Sequence, residues 1–332
     1  MALRWGIASA GKISHDFATA LGTLPQSEHV IVAVAAQDLD RSKDFAKLHK
    51  IPEALLGYAA LAAHPDVDIV YIGNLITQHC EVTKLMLKHG KHVLCEKPFC
   101  INEKQVQSLV NMARDKKLFM MEAVWARFFP AYVEMRHLVK SGALGEIVQV
   151  NIQFGVLIGE VERIKNKELG GGTVLDLGIY PLQFSQMIFG CAPTKVVAAG
   201  HLNENGVDTS VSVVLTYPNG GTTAFSTHSK VRLSNEAVVV GTKGKARLPL
   251  FWCPDKIEMP DGTWKEWPLP PAAHEFNFDN SCGLRYEAEE CRRCIKEGLL
   301  ESSVMSWNDS LAIAKLEDNI RAQVGVRFAE DD

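Results

Sequence analysis

The sequence has no excess of basic residues, no long apolar run and no second close pair of cysteines. Its 332 residues include 35 lysines and arginines against 39 aspartates and glutamates, a net charge of −4, which argues against a nucleic-acid partner. No apolar run reaches the ~20 residues of a membrane span, so we expect no membrane partner. The chain runs from Met1 directly into an apolar segment and leaves no room for a signal peptide, which predicts a cytoplasmic protein.

The eight cysteines are mostly scattered among apolar residues. This distribution is typical of buried thiols in a reducing compartment. The close pair Cys291 and Cys294 lacks a second pair of ligands at metal-binding spacing. Because residues 286–297 have a helical pattern, we interpret the pair as two thiols on neighbouring turns and expect no metal site.

The first half of the chain begins with a strand, a turn of small residues and a helix. Residues 4–10 form the apolar strand, and a helical pattern follows the turn at residues 9–14. This is the context of a dinucleotide-binding fingerprint, although Ser9 and Ser14 replace two of its glycines and only Gly11 remains. Small residues still let the backbone approach a pyrophosphate at the helix N-terminus. An ordinary tight turn between strand and helix is the alternative.

Three further apolar strands, at residues 30–36, 68–73 and 92–96, alternate with helical segments. Strands separated by helices of this length predict a doubly wound parallel sheet of the Rossmann type, which we assign to residues 1–123. Ligands of such sheets bind beyond the carboxyl ends of the strands. The ends of three predicted strands hold Gly11, Gly73 with Asn74, and Glu96 with Lys97.

The end of the second strand bears on the choice between NAD and NADP. A carboxylate at this place binds the ribose 2′-hydroxyl and repels a 2′-phosphate, but Ala36 stands where the acid is expected. Arg41 can reach a phosphate. Asp38 lies one or two positions after the place where the acid is expected, but it could still bind the ribose of NAD. The sequence therefore favours NADP over NAD.

The second half of the chain, residues 124–332, has a different pattern. Short alternating segments are separated by turn signals such as the Pro218-Asn219-Gly220-Gly221 stretch. This pattern predicts an α+β domain with an open, largely antiparallel sheet covered by helices on one face. The predicted strands are residues 146–154, 195–200, 210–217, 222–228, 237–240 and 245–250, and the predicted helices include residues 129–141 and 306–324.

Three residues of the two halves can supply acid–base chemistry. Lys97 follows a buried strand and is set between apolar neighbours, so it is expected to face the ligand crevice. Asp176 and Tyr180 are four residues apart and would share one helical face. A nearby lysine would lower the pKa of the phenol toward the working range. The alternatives are a surface lysine, a helix-capping Asp176 and a Tyr180 that packs in the core.

The Glu96-Lys97-Pro98 motif and the later Asp176-Leu177-Gly178-Ile179-Tyr180 motif resemble the glucose–fructose oxidoreductase, inositol dehydrogenase and MocA family. The resemblance covers the whole chain. It implies a catalytic Lys97, an acid–base Tyr180 supported by Asp176, and a Pro98 that is often cis. Tyr180 replaces the histidine of inositol dehydrogenases, which fits the branch that acts on sugars and trans-dihydrodiols.

The resemblance also implies which residues line the site. Gln37 stands where enzymes of this branch carry an arginine next to the 2′-phosphate. The residues expected at the cofactor are Ser9, Ala10, Gly11, Lys12, Ile13, Gln37, Asp38, Arg41, Asn74, Leu75, His79, Glu96, Lys97, Trp125 and Arg127. The residues expected at the substrate are Trp125, Phe154, Asp176, Tyr180, Trp252 and Phe278.

The sequence therefore predicts an NADP-dependent oxidoreductase that interconverts a secondary alcohol of a sugar or trans-dihydrodiol with its carbonyl. A reductase of a sugar-derived dicarbonyl, such as an anhydrofructose or deoxyhexulose, is the alternative within the same class. A non-catalytic protein that senses NADP is a more distant alternative. A homodimer formed through the C-terminal sheet is a family expectation.

Overall fold

The first apolar segments of the chain build one parallel sheet. The computed structural model describes residues 1–332 and divides into two units, of which the first contains residues 1–100, 104–128 and 269–307. The elements up to residue 128 are β1 (Leu3–Ala8), α1 (Lys12–Leu21), β2 (His29–Ala36), α2 (Leu39–His49), β3 (Glu53–Leu56), α3 (Tyr58–Ala63), β4 (Ile69–Ile72), α4 (Ile76–Lys88), β5 (His92–Glu96), α5 (Glu103–Lys116), β6 (Met120–Ala123) and a 3₁₀ turn at Trp125–Phe128.

This sheet has the strand order β3-β2-β1-β4-β5-β6, and all its neighbouring strands are parallel. The order is that of a doubly wound dinucleotide-binding sheet, so the predicted Rossmann fold is confirmed. Strands β4 and β5 are almost entirely buried, because helices cover both faces of such a sheet. The sequence pattern does not predict β3, α3 or β6, which have only four to six residues each.

The second unit contains residues 101–103, 129–268 and 308–332. Its elements up to residue 268 are α6 (Pro130–Lys140), β7 (Ile147–Gly155), α7 (Glu162–Lys165), a 3₁₀ turn at Lys167–Leu169, a π-helical turn at Val174–Gly178, α8 (Ile179–Phe189), β8 (Lys195–Leu202), β9 (Asp208–Thr216), β10 (Thr222–His228), β11 (Glu236–Gly241), β12 (Gly244–Pro249), β13 (Lys256–Glu258) and β14 (Trp264–Glu266). Beyond them lie α9 (Leu284–Lys296), which belongs to the first unit, and α10 (Trp307–Val324).

Eight strands form the sheet of the second unit, in the order β14-β13-β12-β11-β7-β10-β9-β8. All neighbours are antiparallel except β7 and β10, which are parallel. Along β7, Val150, Ile152 and Phe154 are buried and the residues between them are exposed or partly exposed. One face of this sheet is therefore covered, as the alternating pattern predicts. The predicted largely antiparallel fold is confirmed.

Residues 269–307 lie in the first unit, whereas the division expected at residue 123 places them in the second domain. Buried Asp16 on α1 explains this placement. Its carboxylate accepts the backbone N–H of Asn277 at 2.9 Å and that of Phe278 at 3.1 Å, and α9 packs against α1. Long-range contacts therefore join this later segment to the unit that contains the nucleotide sheet.

Cys291 and Cys294 lie on α9 as free, buried thiols, which confirms their placement on neighbouring helical turns. The structure holds no group of three or more His, Cys, Asp or Glu side chains arranged to hold a metal ion. None of the helices combines the length and apolar character that crossing a bilayer requires.

Candidate active site

The turn after β1 begins with a serine in a conformation that favours glycine. Ser9 has φ of 93°, and its hydroxyl donates to the carbonyl oxygen of Gly73 at 2.7 Å. α1 then starts at Lys12 with Gly11 as its N-cap and with no side chain capping it. The first N–H groups of this helix are thus left for a ligand, the arrangement that binds a pyrophosphate.

Gly73, at the end of β4, is fixed as glycine by the close approach of α1. A Cβ atom at this position would lie 2.7 Å from Ser14 Oγ and 2.9 Å from Tyr71 Cε1. Any larger residue would therefore push α1 away from the strand ends. In the sequence, Gly73 is recognisable only as a strand end, because this packing role depends on contacts with α1.

The end of β2 presents Gln37, Asp38 and Arg41, all of them exposed. Asp38 caps α2, since its carboxylate accepts from the backbone N–H groups of Asp40 at 2.8 Å and Arg41 at 3.2 Å. The Arg41 guanidinium donates to the carbonyl oxygen of Ala10 at 3.2 Å. A cation is thus placed directly beside the turn that starts α1, while at least one oxygen of Asp38 is committed to the cap.

His79 bridges the segments that follow β4 and β5. The ring is buried, with Nδ1 3.0 Å from the Pro98 carbonyl oxygen and Nε2 3.2 Å from the Asn74 carbonyl oxygen. Burial lowers its pKa to about 4, so the ring is neutral at pH 7 and donates through one nitrogen at a time. His79 therefore positions the backbone of Asn74. The next residue, Leu75, is the N-cap of α4.

Two buried carboxylates hold the turn that carries Lys97. Glu96 accepts from the Tyr71 hydroxyl at 2.7 Å and from the Lys97 backbone N–H at 3.2 Å. Glu122 accepts from the Phe99 backbone N–H at 2.9 Å. The Lys97–Pro98 peptide bond is cis, as the family resemblance implies. Lys97 itself is half-buried at the carboxyl end of β5.

The 3₁₀ turn after β6 contains the other two residues expected at the cofactor. Trp125 and Arg127 are both buried, and the Arg127 guanidinium donates to the carbonyl oxygen of Val304 at 3.0 Å. This bond links the turn to residues 269–307 of the same unit.

In the second unit, Asp176 lies in the π-helical turn and Tyr180 in the first turn of α8. Such π turns occur often at functional sites. The turn is anchored by buried Asp208, whose carboxylate accepts from Thr173 N at 2.7 Å, Thr173 Oγ1 at 2.6 Å and Val174 N at 2.8 Å. Gly172, with φ of 113°, is also required here, since a Cβ atom would lie 2.4 Å from Asp208 Oδ1.

Asp176 forms an ion pair that the sequence does not predict. Its Oδ1 lies 2.7 Å from Nη1 of Arg163 on α7. The Asp176 side chain is 14% exposed and that of Arg163 is 44% exposed. No sequence signal links the two residues, which are 13 positions apart and on different elements.

Tyr180 is buried against an aromatic cluster. Its ring meets Phe154 edge to face with centroids 5.4 Å apart, and Phe154 stacks on Trp252 at 4.6 Å. Three of the residues expected at the substrate are thus brought together within the second unit. Phe278 lies in the first unit, where its side chain is exposed.

Two family models together cover most of the chain. Residues 3–123 match the oxidoreductase family with an NAD-binding Rossmann fold, and residues 132–247 match the GFO/IDH/MocA C-terminal domain. The chain belongs to the GFO/IDH/MocA family. It is therefore an oxidoreductase that uses a nicotinamide cofactor, and the uncapped N-terminus of α1 fits the phosphates of that cofactor.

Curated relatives in this GFO/IDH/MocA family match the chain over its full length. The trans-1,2-dihydrobenzene-1,2-diol dehydrogenase of Bos taurus is 46% identical over 334 residues, covering 100% of this chain and 99% of the relative. The Homo sapiens and Danio rerio enzymes of the same name are each 44% identical over 333 residues with the same coverage. These relatives support an enzyme that acts on CH–OH and carbonyl groups.

Solved structures of three other enzymes share the fold. A 3-ketoreductase from Actinomadura kijaniata in complex with NADP has a TM-score of 0.81 at 24% identity and covers 99% of both chains. An aldose–aldose oxidoreductase from Caulobacter crescentus has a TM-score of 0.84 at 22% identity and covers 97% of both. A levoglucosan dehydrogenase in complex with NADH has a TM-score of 0.83 at 17% identity and covers 97% of both.

Proposed function

We propose that this protein is an NADP-dependent oxidoreductase that interconverts a secondary alcohol of a trans-dihydrodiol or sugar with its carbonyl. The observation that carries the proposal is the identity of 44–46% with trans-1,2-dihydrobenzene-1,2-diol dehydrogenases over the whole chain. Lys97, Asp176 and Tyr180 supply an amine, a carboxylate and a phenol for the proton transfers. A protein that only senses NADP would not need these three groups.

In the proposed mechanism the Tyr180 phenol binds the substrate hydroxyl, and Lys97 is the supporting cation. Tyr180 takes the hydroxyl proton during oxidation and returns it during carbonyl reduction. The Lys97 charge stabilises the phenolate form of Tyr180, and Asp176, held by Arg163, orients the reacting hydroxyl. The nicotinamide cofactor, whose phosphates the uncapped N-terminus of α1 would hold, would supply the hydride chemistry.

The proposed substrate surface is aromatic. Phe154 and Trp252 stack beside Tyr180, and such a surface suits a flat diene diol or the apolar face of a pyranose. A panel of a benzene trans-dihydrodiol, D-xylose and sugar-derived dicarbonyls, followed by nicotinamide absorbance, tests this assignment. Turnover of the dihydrodiol or D-xylose supports it, whereas turnover of the dicarbonyls alone would favour the alternative reductase.

Replacing Tyr180 by Phe tests the proposed acid–base role. We expect Tyr180→Phe to lower turnover by roughly two to four powers of ten, the usual scale of such catalysis. Cofactor affinity, measured by fluorescence titration, is expected to change little. Tyr217→Phe is the matched control, because Tyr217 is a buried phenol of the same unit that stacks on Phe189. Equal turnover of the wild type and Tyr180→Phe would remove Tyr180 from this role.

The proposed preference for NADP depends on the end of β2. Ala36 leaves no carboxylate at the last position of the strand, and exposed Arg41 contacts the turn that starts α1. We expect Arg41→Ala to raise the KM for NADP at least several-fold while the KM for NAD changes little. Wild-type kinetics that prefer NAD over NADP at equal concentration would contradict the preference.

We also propose a homodimer formed through the second sheet. Val148, Val197 and Val214 on β7, β8 and β9 are each more than 40% exposed, and Val197 pairs directly with Val214. Sedimentation of the wild type is expected to give about twice the chain mass of 36.6 kDa. The double variant Val197→Lys/Val214→Lys is expected to sediment as a folded monomer, and a wild type that sediments as a monomer would overturn the proposal.

A further inference from the structure

A buried carboxylate on α1 holds the backbone of Phe278 and of the residue before it. Asp16 is fully buried and accepts a hydrogen bond from the backbone N–H of Phe278 at 3.1 Å. It also accepts from the backbone N–H of Asn277, at 2.9 and 3.1 Å, and from the Asn277 side-chain amide at 2.8 Å. The same amide donates to the carbonyl oxygen of Lys12 at 3.3 Å. Both residues are therefore tied to the start of α1.

A histidine on α1 provides a second anchor for the same segment. His15 Nε2 lies 3.0 Å from the carbonyl oxygen of Glu275. A carbonyl oxygen can only accept, so the ring nitrogen is the donor of this bond. The backbone is thus fixed to α1 at Glu275, Asn277 and Phe278. Because all of these bonds lie within the protein, the segment is ordered without help from a ligand.

The ring of Phe278 is presented outward from this fixed backbone. Phe278 is 45% exposed. It lines a cavity of about 340 Å³, whose other lining residues include Pro270, Pro271 and Phe276. Cavities of this volume with mostly apolar linings are typical of small-molecule sites. A ring on an ordered backbone offers apolar contact to a ligand without the cost of ordering that backbone on binding.

We propose that Asp16 is a positioning residue for substrate binding, which fixes Phe278 in place to contact the substrate. The proposal rests on the proposed function and on the expectation that Phe278 lies at the substrate. Asp16 acts through the backbone of Asn277 and Phe278 and does not touch the substrate itself. The ring of a dihydrodiol or the apolar face of a pyranose is the group that packs on Phe278. Such a contact is made equally in the ground state and the transition state, so its loss raises KM and leaves kcat nearly unchanged.

Steady-state kinetics of Asp16→Asn test the proposal, because this change replaces one accepting oxygen by an amide that cannot accept. The substrate is benzene trans-dihydrodiol or D-xylose, whichever the wild type turns over with NADP. We expect its KM to rise roughly five- to tenfold, the scale set by the loss of one buried hydrogen bond. We expect kcat and the KM for NADP to change by less than about twofold. Asn277→Ala removes only the side-chain amide, and we expect it to raise the KM for the substrate by a smaller factor.

Glu289→Gln is the matched control. The Glu289 carboxylate also joins residues 269–307 to the first 100 residues, through His29 Nε2 at 2.7 Å, but it does so from α9 rather than from residues 275–278. Its loss should leave the KM for the substrate unchanged. Circular dichroism checks that each variant is folded. Hydrogen exchange followed by mass spectrometry is expected to be faster at residues 275–278 in Asp16→Asn than in the wild type or in Glu289→Gln.

The Phe278→Ala variant separates an effect transmitted by Phe278 from a general effect of Asp16 on the fold. We expect Phe278→Ala to raise the KM at least as much as Asp16→Asn does. Adding Asp16→Asn to Phe278→Ala is expected to change the KM by less than about twofold, because the ring through which Asp16 acts is already absent.

Three results would overturn the inference: effects of the two changes that multiply, a Phe278→Ala enzyme with the wild-type KM, or folded Asp16→Asn and Asn277→Ala enzymes with the wild-type KM. If Asp16→Asn does not fold, Asn277→Ala alone decides the last of these. A wild type that turns over neither substrate would instead overturn the proposed function, and this inference would fall with it.

Discussion

The Arg163 guanidinium lies 2.7 Å from the Asp176 carboxylate and joins the four-residue helix α7 to the π-helical turn. Asp176 is thus held by a side chain that approaches from outside its own element. A partly exposed ion pair of this kind contributes about 0–1 kcal/mol, so its main effect is on the orientation of the carboxylate.

Replacing Arg163 is expected to reduce activity moderately. A loss of about 1 kcal/mol in transition-state stabilisation corresponds to roughly a fivefold fall in kcat/KM, which we expect for Arg163→Ala, with partial recovery in Arg163→Lys. Lys165→Ala is the matched control, since Lys165 pairs with Glu162 on the same helix. An Arg163→Ala enzyme with unchanged kcat/KM would show that Asp176 needs no such support.

Asp208 is expected to be essential for the stability of the second unit. Its buried carboxylate accepts three hydrogen bonds from Thr173 and Val174, and each unpaired buried donor costs about 1–3 kcal/mol. We expect Asp208→Ala to lower the free energy of unfolding by about 3 kcal/mol or more, as measured by urea denaturation. Asp261→Ala in an exposed turn is the control, and a similarly small effect of both changes would contradict this prediction.

Repeating patterns in the sequence were sufficient to predict most of the fold. Strands β5 and β10 have the predicted bounds, His92–Glu96 and Thr222–His228, because β5 contains a short apolar run and β10 begins directly after the turn at Gly220-Gly221. Strands β13 and β14 have three residues each, and β14 is fully exposed. Strands of three residues are too short to show the alternation of apolar and polar residues by which a strand is recognised. They could therefore not be predicted from the sequence.

Contacts between distant residues could not be predicted. The hydrogen bonds that Asp16 accepts from Asn277 and Phe278 join residues more than 260 positions apart in the chain. No local pattern encodes them. No local pattern encodes the ion pair between Arg163 and Asp176 either. The hydrogen bonds that Asp208 accepts from Thr173 and Val174 are equally invisible in the sequence. Lys97, Asp176 and Tyr180 could be proposed as site residues because their motifs are local, whereas a supporting residue such as Arg163 comes from another element of the chain.

Acid is expected to destabilise the first unit through His49. Its ring lies among His15, His274 and Phe45, with His49 Nε2 3.0 Å from His15 Nδ1. Burial, together with these two histidines, lowers its pKa from 6.5 to about 4. The unfolded chain therefore binds a proton first as the pH falls, and the free energy of unfolding decreases between about pH 6.5 and 4.

His49→Gln removes this proton uptake, so its stability is expected to depend less on pH than that of the wild type. Urea denaturation at pH 7.5, 6 and 5 measures the difference. His89→Gln serves as the control, because His89 is exposed at the end of α4 and contacts only its own helix backbone at Leu85. Parallel pH profiles of the wild type and His49→Gln would rule out His49 as the source.

Glu287 on α9 is expected to destabilise the protein at alkaline pH. It is fully buried, neither carboxyl oxygen has a hydrogen-bond partner, and burial beside Glu96 raises its pKa well above 4.5. The folded protein therefore keeps a proton that the unfolded chain releases, and the free energy of unfolding falls as the pH rises above about 4.5. The slope is at most about 1.4 kcal/mol per pH unit.

Glu287→Gln is neutral at every pH and lacks this linkage. Its stability relative to the wild type is therefore expected to increase between pH 5 and 8, as measured by urea denaturation at each pH. Glu297→Gln at the C-terminal end of the same helix is the control, because Glu297 is exposed and pairs with Arg293. A constant difference between Glu287→Gln and the wild type across this range would mean that Glu287 is already ionised in the folded protein, and that a buried partner must then neutralise its charge.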